Sequence, residues 1–82
     1  MWFCYILECS DGTLYTGITN DLDMRILKHN SGKGSKYTRT RLPVKLKWSL
    51  KFDNRSEASK EEYRIKQLNR KQKIEIINGI CN

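Results

Sequence analysis

The stretch that most constrains this chain is its first eighteen residues, MWFCYILECSDGTLYTGI. Trp2, Phe3, Tyr5 and Ile6 on one side and Leu14, Tyr15 and Ile18 on the other are strand formers, and Asp11-Gly12 between them is a hairpin-turn signal. A β-hairpin follows, with two tyrosines ten positions apart. Side chains alternate between faces, so the loop length decides whether the phenols meet. A three-residue loop of Asp11, Gly12 and Thr13 pairs Ser10 with Leu14 and sets Tyr5 and Tyr15 on one face; a two-residue loop separates them. Within the hairpin, two phenols are either half of an active site or ordinary packing aromatics.

Charge is distributed unevenly. Residues 1–24 hold four acids and no Lys or Arg, whereas residues 25–52 hold nine bases, Arg25, Lys28, Lys33, Lys36, Arg39, Arg41, Lys45, Lys47 and Lys51, and no acid. That block, within a net charge of +7, is an electrostatic footprint for a polyanion. No amphipathic basic helix with an exposed apolar face argues for a membrane surface, and no apolar run approaches the roughly 20 residues that span a bilayer. Nucleic acid is the expected partner. Cys4, Cys9 and Cys81 have neither a CxxC nor a metal-ligand spacing and are odd in number, which suits reduced thiols in a cytoplasmic protein without a signal peptide.

At 82 residues the expectation is one domain with one modest core. Past the hairpin, Thr19-Asn20-Asp21 offers N-caps for a helix over Leu22 to Asn30, ending at Gly32 and carrying Arg25 and His29 four apart. Ser31 to Thr38 reads as a loop. It lacks the Walker spacing, but its lysines, hydroxyls and Tyr37 suit contact with a nucleic-acid strand. Val44, Leu46, Trp48, Leu50 and Phe52 then alternate with polar residues, predicting a third strand with one apolar face and one lysine-bearing face. Helices are predicted from about Glu57 to Leu68 and from Lys71 to Asn78, the latter ending at Gly79. On the first of these, Glu61 and Glu62 both border the stripe marked by Ala58, Ile65 and Leu68. A carboxylate there needs a basic partner or a cation, and helical geometry does not choose between the two. The fold class is α/β, a small three-stranded antiparallel sheet flanked by three helices.

In this order the motifs resemble those of the GIY-YIG nuclease family, most closely its small stand-alone bacterial (YhbQ-like) members, over essentially the whole chain. Cys4-Tyr5-Ile6 stands where the family has GIY, and Tyr15-Thr16-Gly17 where it has YIG. Arg25, His29 and the helix segment ending Glu62-Tyr63-Arg64-Ile65-Lys66 match the family's arginine, histidine and metal-binding glutamate. Cys4 for glycine and Thr16 for isoleucine are departures that leave the tyrosines untouched.

The resemblance implies hydrolysis of DNA phosphodiesters with one Mg²⁺ or Mn²⁺ ion, in DNA repair or recombination. It implies that Glu62 holds the ion, Arg25 stabilises phosphate charge, Tyr15 is general base, Tyr5 positions water or phosphate, and His29 moves a proton or anchors phosphate. It further implies DNA contacts from Lys36, Tyr37 and Thr38, to which the basic loop adds Lys33 and the basic block Arg39. Asn78 is a candidate for the asparagine that many members carry after the glutamate. A branched or damaged DNA substrate and a protein partner for specificity are expected, since family members usually gain target choice from an additional domain. The competing readings are a nucleic-acid-binding module without its own chemistry and a basic protein-interaction domain.

Overall fold

β1 (Trp2–Glu8) pairs with β2 (Leu14–Thr19) in the computed structural model, which describes residues 1–79. Then come α1 (Leu22–Asn30), α2 (Lys36–Arg39), β3 (Lys45–Phe52), α3 (Arg55–Lys66) and α4 (Arg70–Ile77). Cys81 lies outside the described residues, while Cys4 and Cys9 are buried free thiols.

The sheet is antiparallel, ordered β2-β1-β3. β1 takes the centre because its run Cys4-Tyr5-Ile6-Leu7 is apolar on both faces, and all four residues are fully buried. Tyr5 and Leu7 pack with Cys9 and Val44 against Leu22 and Ile26 of α1. Cys4 and Ile6 pack on the other face with Ile65 of α3 and with Ile76 and Ile77 of α4. Two thin cores, one per sheet face, replace the single core expected from length.

The hairpin loop is three residues long, but it starts one residue earlier than expected. Cys9 N–H donates to the Thr13 carbonyl at 2.9 Å, and Gly12 N–H to the Cys9 carbonyl at 3.0 Å, which leaves Ser10, Asp11 and Gly12 as the loop. Gly12, without a Cβ, takes the left-handed conformation (φ 83°) that such a loop requires at its last position. The Asp11 carboxylate accepts from both the Thr13 N–H (3.1 Å) and the Thr13 hydroxyl (2.6 Å), and this pulls Thr13 back into the ladder. Glu8, not Ser10, therefore stands opposite Leu14. The loop length stays odd, so the facing holds: Tyr5 pairs with Gly17 and Leu7 with Tyr15, all on one face.

β3 departs further from expectation. Its register with β1 slips between Ile6 and Leu7, where Ile6 faces Trp48 but Leu7 faces Leu46. The bulge at Lys47 turns Val44 and Leu46 to the Tyr5 face, while Trp48 and Phe52 stay with Ile6 and Cys4. The even alternation therefore does not form one buried face, and Leu46 and Leu50 of this edge strand are 39% and 46% exposed. Asn30, the last residue of α1, fixes the entry to β3 by exchanging two hydrogen bonds with the Val44 backbone, at 2.7 and 3.2 Å.

The helices begin where side chains cap them. Asp21 accepts from Met24 N–H, Asn54 from Glu57 N–H, and Asn69 forms a capping box with Gln72. Capping by Asn54 starts α3 at Arg55, ahead of the predicted Glu57. An additional single-turn helix, α2, lies in the segment read as a loop, capped by the Ser35 side chain on Thr38 N–H.

Candidate active site

A buried chain of hydrogen bonds runs from the sheet into α2. The Tyr5 hydroxyl lies 3.0 Å from His29 Nε2, His29 Nδ1 lies 2.8 Å from Thr38 Oγ1, and Thr38 Oγ1 lies 3.0 Å from Ser35 Oγ. Arg25 Nε donates to the Tyr5 oxygen at 3.4 Å, and Arg25 Nη2 donates to the Gly34 carbonyl at 3.1 Å. Tyr5, His29 and Thr38 are all fully buried.

Burial decides the direction of the chain. The Tyr5 proton has no acceptor other than His29 Nε2 among the described residues, since Arg25 acts only as a donor. Tyr5 therefore donates to Nε2, and the imidazole carries its proton on Nδ1 and donates to Thr38. Burial, ahead of the favourable Arg25 contact, raises the Tyr5 pKa and keeps the phenol protonated. Burial, followed by the Arg25 charge, lowers the His29 pKa from 6.5 to about 4.

The unfolded chain thus takes up a proton below pH 6.5 that the folded chain refuses. This group's share of stability falls as pH drops from 6.5 to about 4, by roughly 3 kcal/mol in total. The chain has one histidine, so its ring resonances are unambiguous. Imidazole nitrogen spectra should show the Nδ1–H neutral form persisting through pH 5. A midpoint at or above 6.5, or the Nε2–H form, would contradict this arrangement.

Two glycines make room for the chain. A Cβ on Gly17 would lie 2.5 Å from the Tyr5 hydroxyl oxygen, and one on Gly34 would run into the His29 ring. Gly17 belongs to the Tyr15-Thr16-Gly17 motif, so the motif's glycine is the space the Tyr5 phenol fills. Gly34 lets the loop before α2 close over His29 while its carbonyl holds Arg25.

Tyr15 lies beside this chain and is only partly buried. Its ring meets His29 edge-on (centroids 5.2 Å apart) and stacks on Tyr37 (6.0 Å, interplanar 24°). Its hydroxyl makes no hydrogen bond to another described residue. Arg41 sits over the Tyr37 ring at 4.0 Å, donates to the Tyr37 carbonyl at 2.7 Å and pairs with Asp11 at 3.1 Å, tying α2 to the hairpin turn. Tyr15 and Tyr37 line a groove of about 230 Å³ with Leu14, Thr16, Lys66 and Lys73. The larger depressions, about 640 Å³ along α3 near Tyr63 and 660 Å³ around α1, include Arg25 but none of the tyrosine–histidine cluster.

On α3 the two glutamates separate by partner. Both Glu61 oxygens are bound by Arg64, at 2.7 and 2.8 Å, which holds the carboxyl pKa below its usual value. Glu62 pairs through one oxygen with Lys66 at 3.3 Å, and its side chain is 24% exposed. Its charge acts on the Tyr5 phenol and on the Cys4 thiol, which burial, with help from both glutamates, pushes up to about 12. Glu62 therefore keeps one oxygen outside its ion pair, whereas both Glu61 oxygens are clamped by Arg64.

The family model for the GIY-YIG catalytic domain matches residues 1–75. The chain belongs to the GIY-YIG family. It is 56% identical over 73 residues to a UPF0213 protein of Halobacterium salinarum, covering 89% of this chain and 95% of that one. It is 57% identical over 79 residues to the UPF0213 protein YsiG of Lactococcus lactis, covering 95% and 76%. Among solved structures it is similar to a UPF0213 protein of Bacillus halodurans (TM-score 0.61, 48% identity, 95% of this chain and 84% of that one). A protein of E. faecalis is similar too (TM-score 0.64, 42% identity, 95% and 83%).

GIY-YIG nucleases are generally dependent on divalent metal, and the residues here fit one such ion of modest protein ligation. No group of three or more His, Cys, Asp or Glu among the described residues could hold a metal. Glu62, with one oxygen not engaged by Lys66, suits a cation that keeps most of its shell as water and phosphate oxygen.

Other GIY-YIG assignments from sequence are revised by burial. Thr38 is no DNA contact: it is fully buried and its hydroxyl serves His29 and Ser35. Tyr37 is 37% exposed, but its ring is engaged by Tyr15 and Arg41, which limits stacking on a base. Lys33, Lys36 and Arg39 lie in or just before α2 and are exposed. Asn78 is the exposed C-cap of α4 and joins none of the cluster's hydrogen bonds. Sequence reasoning missed Ser35, Gly34, Arg41 and Asp11. The signals were there, in a Ser-Lys-Tyr-Thr capping pattern and in a lone acid at the hairpin turn, but only the fold shows what they touch.

Proposed function

We propose that this protein is a divalent-metal-dependent DNA endonuclease in which Tyr15, Arg25 and Glu62 act on the scissile phosphodiester. The observation that carries the reading is a guanidinium held on the Tyr5 phenol and the Gly34 carbonyl (Arg25), beside a second, partly exposed phenol packed on the same His29 ring (Tyr15), with Glu62 on α3 keeping an oxygen outside its pair with Lys66. Tyr15 serves as general base, since its hydroxyl is uncommitted and lies beside the groove. Arg25 commits Nε and one Nη2 proton to Tyr5 and Gly34, which leaves three N–H donors in fixed orientation for phosphate oxygens. A Mg²⁺ or Mn²⁺ ion on Glu62 supplies Lewis-acid neutralisation of the charge building on phosphorus-bound oxygens.

Tyr5 and His29 are positioning residues in this scheme, because both are buried and neither reaches solvent. The Tyr5–His29–Thr38 chain fixes Arg25 on one side and presents the His29 ring to Tyr15 on the other. Lys33, Lys36 and Arg39 hold the backbone of the DNA, and repair or recombination is the setting that a structure-selective nuclease of this kind suits. Purified protein, screened in Mn²⁺ against duplex, flap, junction and single-stranded DNA, should cleave at least one, and EDTA should abolish cleavage. No cleavage of any substrate, with salt-dependent binding retained, would leave a binding module instead.

A further inference from the structure

Thr16 is 4% exposed, and its hydroxyl has no hydrogen-bond partner, the only such side-chain atom among the buried described residues. An unpaired buried hydroxyl costs stability. Thr16 lines the groove of about 230 Å³ with Lys66, Lys73, Tyr15 and Tyr37. β2 is an edge strand. Cys9 N–H bonds the Thr13 carbonyl, which sets the ladder so that Tyr15 and Gly17 bond to β1 while the Thr16 N–H points away from β1 at the open edge. One outward N–H and two lysines thus border a single groove that opens beside Tyr15, while the Thr16 hydroxyl itself is buried on the Ile6 face. Lys73 has no ion-pair partner among the described residues, and Lys66 is shared with Glu62.

We propose that the Thr16 N–H, Lys66 and Lys73 form a second phosphate subsite on the open edge of β2, which takes the phosphodiester next to the one cleaved. The proposal rests on the nuclease reading and deepens it. The scissile phosphate lies by Tyr15 and Glu62, and its neighbour along the strand lies over Thr16, where Lys73 of α4 neutralises it. Lys66 bridges the two by pairing with Glu62 at the boundary. The subsite explains why a helix outside the tyrosine–histidine cluster carries a base into the groove. It also sets the direction of the strand's path, because the groove continues from Tyr15 toward α4.

The test is binding of a labelled oligothymidylate in EDTA, so that no cleavage intervenes, read by anisotropy across a salt series. Lys73→Gln should weaken binding by about fivefold and lower the salt slope by about 0.7, the value of one single-strand phosphate contact. Thr16→Val keeps the N–H and should bind like the wild type, while its Tm rises by about 4 to 8 °C because an unpaired buried hydroxyl has been removed. Amide resonances of Leu14 and Thr16 should shift in the wild type on adding the oligonucleotide, and less in Lys73→Gln. Unchanged affinity and salt slope in Lys73→Gln would overturn the subsite, as would unshifted Leu14 and Thr16 amide resonances in the wild type on adding the oligonucleotide. Neither result depends on whether the wild type cleaves in Mn²⁺, so failure here is distinct from failure of the nuclease reading.

Discussion

Arg25→Lys should reduce cleavage by about a hundredfold to a thousandfold while leaving the fold and overall DNA affinity nearly unchanged. The substitution keeps the charge, so nonspecific attraction to phosphate persists. It removes the planar fork, and with it the simultaneous bonds to the Tyr5 oxygen and the Gly34 carbonyl that hold the guanidinium in place. An ammonium in that space can satisfy one of these partners but cannot also present oriented donors to a phosphate. The loss should therefore appear in kcat, with KM little changed, since the interaction strengthens as charge develops. Steady-state cleavage beside anisotropy binding checks this. Wild-type kcat in the Arg25→Lys variant would mean that only charge matters at this position.

Gly17→Ala should destabilise the protein by about 3 kcal/mol or more, a fall in Tm of roughly 12 to 24 °C for a domain of this size. The added Cβ would lie 2.5 Å from the Tyr5 hydroxyl oxygen and 2.7 Å from its ring carbon Cζ, against a side chain that is fully buried and bonded to His29. Alanine's smaller unfolded-state entropy returns less than about 1 kcal/mol, because the strand backbone here needs no positive φ. Gly12→Ala is the contrast. Its neighbourhood is open, and the cost is only that of a left-handed alanine, about 1 to 2 kcal/mol. Thermal melts of the two variants should rank Gly17→Ala well below Gly12→Ala. The reverse order would mean that Tyr5 is not held against Gly17.

How much of this was legible in the sequence depends on how local each cause is. Tyr5 and Tyr15 share a face because the loop is odd, and parity survives an error of one residue in the loop's position. Caps such as Asp21 are readable because a cap and its target lie three residues apart. The bulge at Lys47 is not readable, since the sequence alternates evenly through it and only pairing with β1 breaks the register. Nor is the fate of Thr38, whose partner His29 is nine residues away and whose helix, four residues long, has no periodicity to detect. The choice of Glu62 over Glu61 comes from family resemblance; the structure supplies a physical counterpart in the Arg64 clamp that occupies Glu61 alone.

The role of His29 is the widest gap between expectation and arrangement. The family resemblance implies a histidine at the edge of the helix that moves a proton or anchors phosphate. Instead both ring nitrogens are engaged inside the protein, and burial holds the ring neutral. In the proposed scheme its contribution is orientation of Tyr5 and, through Tyr5, of Arg25.

The central claim is that Glu62 holds the metal at which a DNA strand is cut, and single-turnover cleavage by wild type and Glu62→Gln in Mn²⁺ tests it most directly. Wild type should cleave, and Glu62→Gln should be slower by at least about a thousandfold while binding the same DNA in EDTA with similar affinity. Cleavage by Glu62→Gln at the wild-type rate would contradict the account.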